Sequence, residues 1–175
     1  AGALEQQGYA ASWLNADPAH PLLILRALGG FGKSALSWYW LLHDVDPARC
    51  PRVVWWSFYE GDASFDSFLR ETLTYLTGRP LPPGAATRQQ VDDLLRLLHQ
   101  PGTLLILDGF ERALRAYGGL NGAYRGDEPT SEHGQTDCLS PLAEHFLRSL
   151  ACLPEIRIKV LLTTRLRPRA VEATG

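Results

Sequence analysis

The residues best suited to chemistry form one short run, Leu28-Gly29-Gly30-Phe31-Gly32-Lys33-Ser34, set between an apolar stretch and a helical one. Its glycines let the backbone curl so that successive N–H groups face one point, and a helix beginning at Gly32 turns its positive end the same way. Lysine and serine directly after them add a point charge and a hydroxyl, the pair that meets β/γ-phosphates and Mg2+ when such a loop holds a nucleotide. Gly29, Gly30, Phe31, Gly32, Lys33, Ser34 and Ala35 are therefore the candidate phosphate contacts, with ATP/ADP and Mg2+ as the expected ligands. Lysine occurs only at Lys33 and Lys159, and every other basic residue apart from histidine is arginine. A planar guanidinium does not replace a compact ammonium inside a tight phosphate loop, so this placement argues against an ordinary glycine turn. The full pattern GxxxxGK[ST] wants glycine where Ala27 stands, an exchange expected to weaken affinity unless the backbone there keeps a negative φ.

A second run, Leu104-Leu105-Ile106-Leu107-Asp108-Gly109-Phe110-Glu111, delivers an acid at the end of a buried strand, where α/β sheets place ligands. Asp108 is the candidate Mg2+ partner together with Ser34, and Glu111 the candidate to orient or deprotonate an attacking water. The plainer alternatives are a helix N-cap for Asp108 and a solvated first-turn acid for Glu111. A third run, Lys159-Val160-Leu161-Leu162-Thr163-Thr164-Arg165, ends in two hydroxyls and a guanidinium. Thr164 is expected to sense a γ-phosphate and Arg165 to stabilise charge developing on it; a strand ending in a solvated loop is the alternative.

These runs need a frame to bring them together. Apolar runs alternate with helical patterns along the chain, which predicts an α/β fold with a mostly parallel sheet covered on both faces. Strands are expected at 22–28, 52–59, 103–107 and 158–164, and helices at 33–43, 64–76, 87–100 and 141–150, with a short one starting near Phe110. Glu60 to Asp62 reads as a turn. The polar stretch from Tyr117 to Leu139 has no periodicity and reads as a long loop, either a lid carrying Arg125 or a disordered insert. Trp38, Trp40, Trp55 and Trp56 are expected in the core, and His43 at a helix end facing the dipole.

The chain has 175 residues, 45% of them apolar, enough for one domain over residues 1–175. A net charge of −2 without a basic block gives no nucleic-acid footprint. The apolar runs are too short to span a bilayer and no signal-peptide pattern opens the chain, so a cytoplasmic location is expected. Cys50, Cys138 and Cys152 lack paired spacing, which suggests neither disulfides nor zinc, although His133 stands near Cys138. The absence of methionine and the start at Ala1 suggest a piece of a longer polypeptide. An arginine-, alanine- and proline-rich composition suggests a prokaryotic origin.

Taken together, the three runs resemble those of the STAND class of P-loop NTPases, which includes NB-ARC and NACHT domains. Gly29-Gly30-Phe31-Gly32-Lys33-Ser34 is similar to that class's Walker A loop, Asp108-Gly109-Phe110-Glu111 to its Walker B segment, and Thr163-Thr164-Arg165 to its sensor strand. The resemblance covers nearly the whole chain. It implies a three-layer αβα core with visible strands in the order 1-4-3-2. It further implies an ATP/ADP switch with slow hydrolysis in signalling or defence, flanked by effector and repeat domains and oligomerising with itself when ATP-bound. The upstream Gly-Arg that helps hold adenine in that class is not seen here, nor is a winged-helix region. A degenerate nucleotide-binding scaffold and an active P-loop ATPase or kinase are the competing readings.

Overall fold

The computed structural model describes residues 3–17, 19–60, 64–84, 86–117, 135–152 and 159–172. Its elements in chain order are α1 (Ala3–Ala16), β1 (Leu22–Arg26), α2 (Lys33–His43), β2 (Arg52–Ser57), α3 (Phe65–Thr77), α4 (Arg88–Leu98), β3 (Thr103–Asp108), α5 (Pro141–Cys152) and β4 (Lys159–Thr164), with short 3-10 turns at Phe110–Ala113, Arg115–Tyr117 and Arg169–Val171. All strand pairings are parallel and the sheet order is β1-β4-β3-β2. The α/β class and the expected order 1-4-3-2 are both present.

Parity along the strands sorts the apolar side chains into two layers, because successive residues point to opposite faces. Leu105 and Leu107 of β3, with Val160 and Leu162 of β4, pack with Phe68, Leu94, Leu98 and Phe146 from α3, α4 and α5. Leu104, Ile106 and Leu161 pack on the other face with Trp13 of α1 and Trp40 of α2. Every residue of β3 is buried, as a central strand covered on both sides requires.

Capping chemistry sets several helix boundaries. The Ser64 hydroxyl accepts from the Ser67 N–H at 3.2 Å and starts α3, which ends at Gly78 with φ +66°. Thr87 and Gln90 form a reciprocal capping box at the start of α4.

Several expectations need correction. Helix α1 was not expected; it is held by the Trp13 indole N–H donating to the His20 carbonyl at 2.7 Å and by the Lys159 ammonium 4.7 Å from the Trp13 ring centre. Trp40 is buried as expected, but Trp38 is 52% exposed and packs its edge against Trp55. The cause is topological: β2 is an edge strand, which leaves Trp55 and Trp56 only half-buried. Of the expected loop 117–139, residues 118–134 lie outside the described residues, with Arg125 and His133 among them, as do Gly61 and Asp62 of the expected turn. The described flanks of that loop run together: Arg115 N–H donates to Asp137 C=O at 2.9 Å and Leu139 N–H to Ala113 C=O at 2.8 Å.

Candidate functional site

The strand registers align Arg26 with Thr164 and Ser57 with Asp108, so the residues that follow all four strands gather at one end of the sheet. After β1 comes the glycine loop. Ala27 still belongs to the sheet, its N–H donating to the Thr164 carbonyl at 3.3 Å. The positions that do require glycine are Gly30 and Gly32, with φ of +78° and +71°. The alanine therefore stands where the backbone is still strand-like, before the curl begins.

Gly32 precedes α2, whose first internal bond runs from the Leu36 N–H to the Gly32 carbonyl at 2.8 Å. The amides of Lys33, Ser34 and Ala35 are thus helix-end donors without intrahelical acceptors, at the positive end of the helix dipole. Phe31 is 72% exposed at the loop tip. The Lys33 ammonium bends over the loop and donates to the Ala27 and Leu28 carbonyls at 2.7 and 2.9 Å. Burial lowers the Lys33 pKa, opposed by the Glu111 and Asp108 carboxylates and reinforced by Arg165.

Ser34 and Asp108, separated by 74 positions in the chain, meet: the serine hydroxyl donates to Asp108 Oδ1 at 2.8 Å. The same oxygen accepts from the Thr163 hydroxyl at 2.6 Å, and Thr163 in turn accepts from the Gly109 N–H at 2.9 Å. Strand parity explains the grouping. Asp108 and Thr163 share the face of Ile106 and Leu161, the face that α2 covers. Thr164 points the other way; its hydroxyl donates to the Leu166 carbonyl at 2.7 Å and the residue is fully buried. Of the two adjacent threonines, the one that reaches the acid is thus Thr163 and not Thr164.

Glu111 lies 1% exposed at the start of the 3-10 turn after β3. Arg165 answers its charge, with Nε 3.1 Å from Oε1 and its backbone N–H donating to Oε2 at 3.3 Å. The same guanidinium lies against the loop: a Cβ on Gly29 would sit 2.7 Å from its Cζ. Arg165 therefore connects the end of β4, the glycine loop and Glu111. Tyr59 closes the arrangement from the β2 side by donating its hydroxyl to Glu111 Oε1. Burial first, and then this bond, raise the phenol's pKa above its usual value.

Tyr59 was not singled out from the sequence. The available signal was its position just past the strand that neighbours the Asp108 strand.

Among the described residues no group of three or more His, Cys, Asp or Glu side chains converges. The donors present at the loop are one hydroxyl and one carboxylate, a hard-oxygen pair of the kind that Mg2+ takes alongside substrate phosphates and water. Cys138 is buried, and burial pushes its thiol up to about 12.

Fold and site together define a parallel α/β sheet with a glycine loop, a hydroxyl–carboxylate pair and a buried ion pair at its carboxyl end. No protein-family model matches the chain, and no curated protein matches it either.

Proposed function

We propose that this chain binds Mg–ATP and ADP as the nucleotide switch of a STAND-type signalling or defence NTPase, with slow hydrolysis. The observation that carries the reading is the Ser34–Asp108 contact at the mouth of a loop with two left-handed glycines. A turn serving only to connect β1 to α2 has no need for a hydroxyl and a carboxylate from distant runs to meet beside it. The loop's helix-end amides and the Lys33 ammonium favour phosphate, since both bring positive charge to the loop.

In this reading Gly29 to Ala35 cradle phosphate and Lys33 exchanges its two loop carbonyls for phosphate oxygens. Ser34 and Asp108 would hold Mg2+, which supplies charge against the phosphates when bound. Thr163 keeps Asp108 aimed, Arg165 neutralises charge at the γ-position, and Glu111 orients water. Slow turnover follows from the resting state of Glu111, a buried carboxylate engaged by Arg165 and Tyr59. That engagement favours a switch over a vigorous ATPase or kinase. Effector and repeat domains of the same protein, and further copies of it, are the proposed partners.

A thermal-melt series tests the proposal. Mg–ATP and ADP at saturating concentration are expected to raise the wild-type Tm by several degrees and to leave Lys33→Ala unmoved, because ligands stabilise only the state that binds them. Equal response, or none in either protein, contradicts it.

A further inference from the structure

Tyr59 stands outside every motif, yet its setting is built. Beyond Ser57 the chain keeps following β3, with the Phe58 N–H donating to the Asp108 carbonyl at 2.9 Å, and this carries Tyr59 alongside Gly109. A Cβ on Gly109 would clash with Cε2, Cδ2 and Cζ of the Tyr59 ring, and Gly109 itself has φ +72°. Only glycine gives this backbone and this clearance together. The Arg112 guanidinium lies over the ring at cation–π range, its Cζ 5.5 Å from the centroid. The phenol, 42% exposed, thus lies against a bare backbone with a guanidinium over its ring, and its hydroxyl reaches the buried Glu111.

Glu111 Oε1 then accepts from the Tyr59 hydroxyl and lies 3.1 Å from the Arg165 Nε as an ion pair, while Oε2 accepts from the Arg165 backbone N–H. An ionised carboxylate offers about four lone-pair directions. With two of them taken by hydrogen bonds, a guanidinium alongside and 1% exposure, this carboxylate is badly placed to take a proton from water.

We propose that Tyr59 is a positioning residue that holds Glu111 at rest, so that its hydroxyl slows nucleotide hydrolysis at the Lys33–Ser34–Asp108 site. The inference rests on the nucleotide-switch reading above. It assigns the restraint to the segment that follows β2, which contributes none of the three motifs. Losing the hydroxyl leaves Glu111 paired with Arg165 but one donor freer.

The test measures Mg–ATP hydrolysis and, on the same preparations, equilibrium binding of a fluorescent ATP analogue. Tyr59→Phe removes the hydroxyl and keeps the ring; Tyr59→Leu removes both but keeps apolar cover over Gly109, and melting curves identify which variant is folded. The expected result is a kcat higher by about three- to ten-fold, the factor an ordinary hydrogen bond represents, with KM and binding within about two-fold. In a Glu111→Gln background, Tyr59→Phe is expected to leave the residual rate unchanged. Unchanged or lower kcat with binding intact overturns the restraint, as does an equal rise in the Glu111→Gln background. Failure of the wild type to bind ATP overturns the nucleotide reading itself, and the role of Tyr59 with it.

Discussion

The ion pair of Glu111 and Arg165 sets the energetics of the site at the scale of single residues. Glu111 is 1% exposed and Arg165 20%, so solvent screens the pair little. Arg165→Ala leaves a buried carboxylate without its cation and is expected to cost about 3–5 kcal/mol in denaturant unfolding. Adding Glu111→Gln should recover much of that loss; no recovery would mean that Arg165 stabilises by packing alone. Tyr59 gives a pH signature. Its folded-state pKa is raised above the ordinary 10.0, so its contribution is complete below pH 10 and fades as pH climbs beyond it. Melting curves from pH 8 to pH 11 should therefore show wild type losing more stability than Tyr59→Phe. Parallel losses in the two proteins would contradict a protonated phenol bound to Glu111. The two lysines illustrate how sparingly the chain uses an ammonium. Lys33 caps the loop carbonyls, and Lys159 donates to the Asp17 and His20 carbonyls, pinning the α1–β1 connection to β4.

Among the elements, the turn after β3 carries the tightest constraint. Gly109 combines φ +72° with contact against Tyr59, and Gly109→Ala is expected to lower stability by about 1–3 kcal/mol while displacing the phenol. Gly30→Ala, also at positive φ but in open space, should cost less in stability; unfolding midpoints of the two variants check the order. The strands and most helices were legible in the sequence because their apolar periods are clear and capping residues such as Ser64 and Thr87 mark their starts. Helix α1 was not, since its anchors Ala10 and Trp13 make a short stripe and its fixings, the His20 carbonyl and Lys159, are distant or local contacts that no pattern announces. The exposure of Trp38 was hidden for a similar reason: edge position belongs to strand order, not composition. At the site, the glycine loop, Asp108, Glu111 and Arg165 could be picked out by type and spacing. The choice of Thr163 over Thr164 depends on one step of strand parity, and Tyr59 on the adjacency of β2 and β3.

Over the whole molecule, two apolar layers hold a four-stranded parallel sheet whose carboxyl ends deliver one residue set to one place. Chain segments far apart in sequence supply it: the glycine loop from β1 to α2, Tyr59 after β2, Asp108 and Glu111 after β3, and Thr163 and Arg165 from β4 and its end. No described helix is long and apolar enough to cross a membrane. What this convergence can do depends on whether phosphate enters the loop. Calorimetric titration of the chain with Mg–ATP and with ADP, run beside Lys33→Ala, tests that most directly. Saturable one-site binding by the wild type, weakened about 100-fold or more by the substitution, is the predicted result, since it removes a charged phosphate partner worth about 3 kcal/mol. Heat indistinguishable from dilution in both proteins, or equal affinity in both, would contradict a nucleotide site built on this loop.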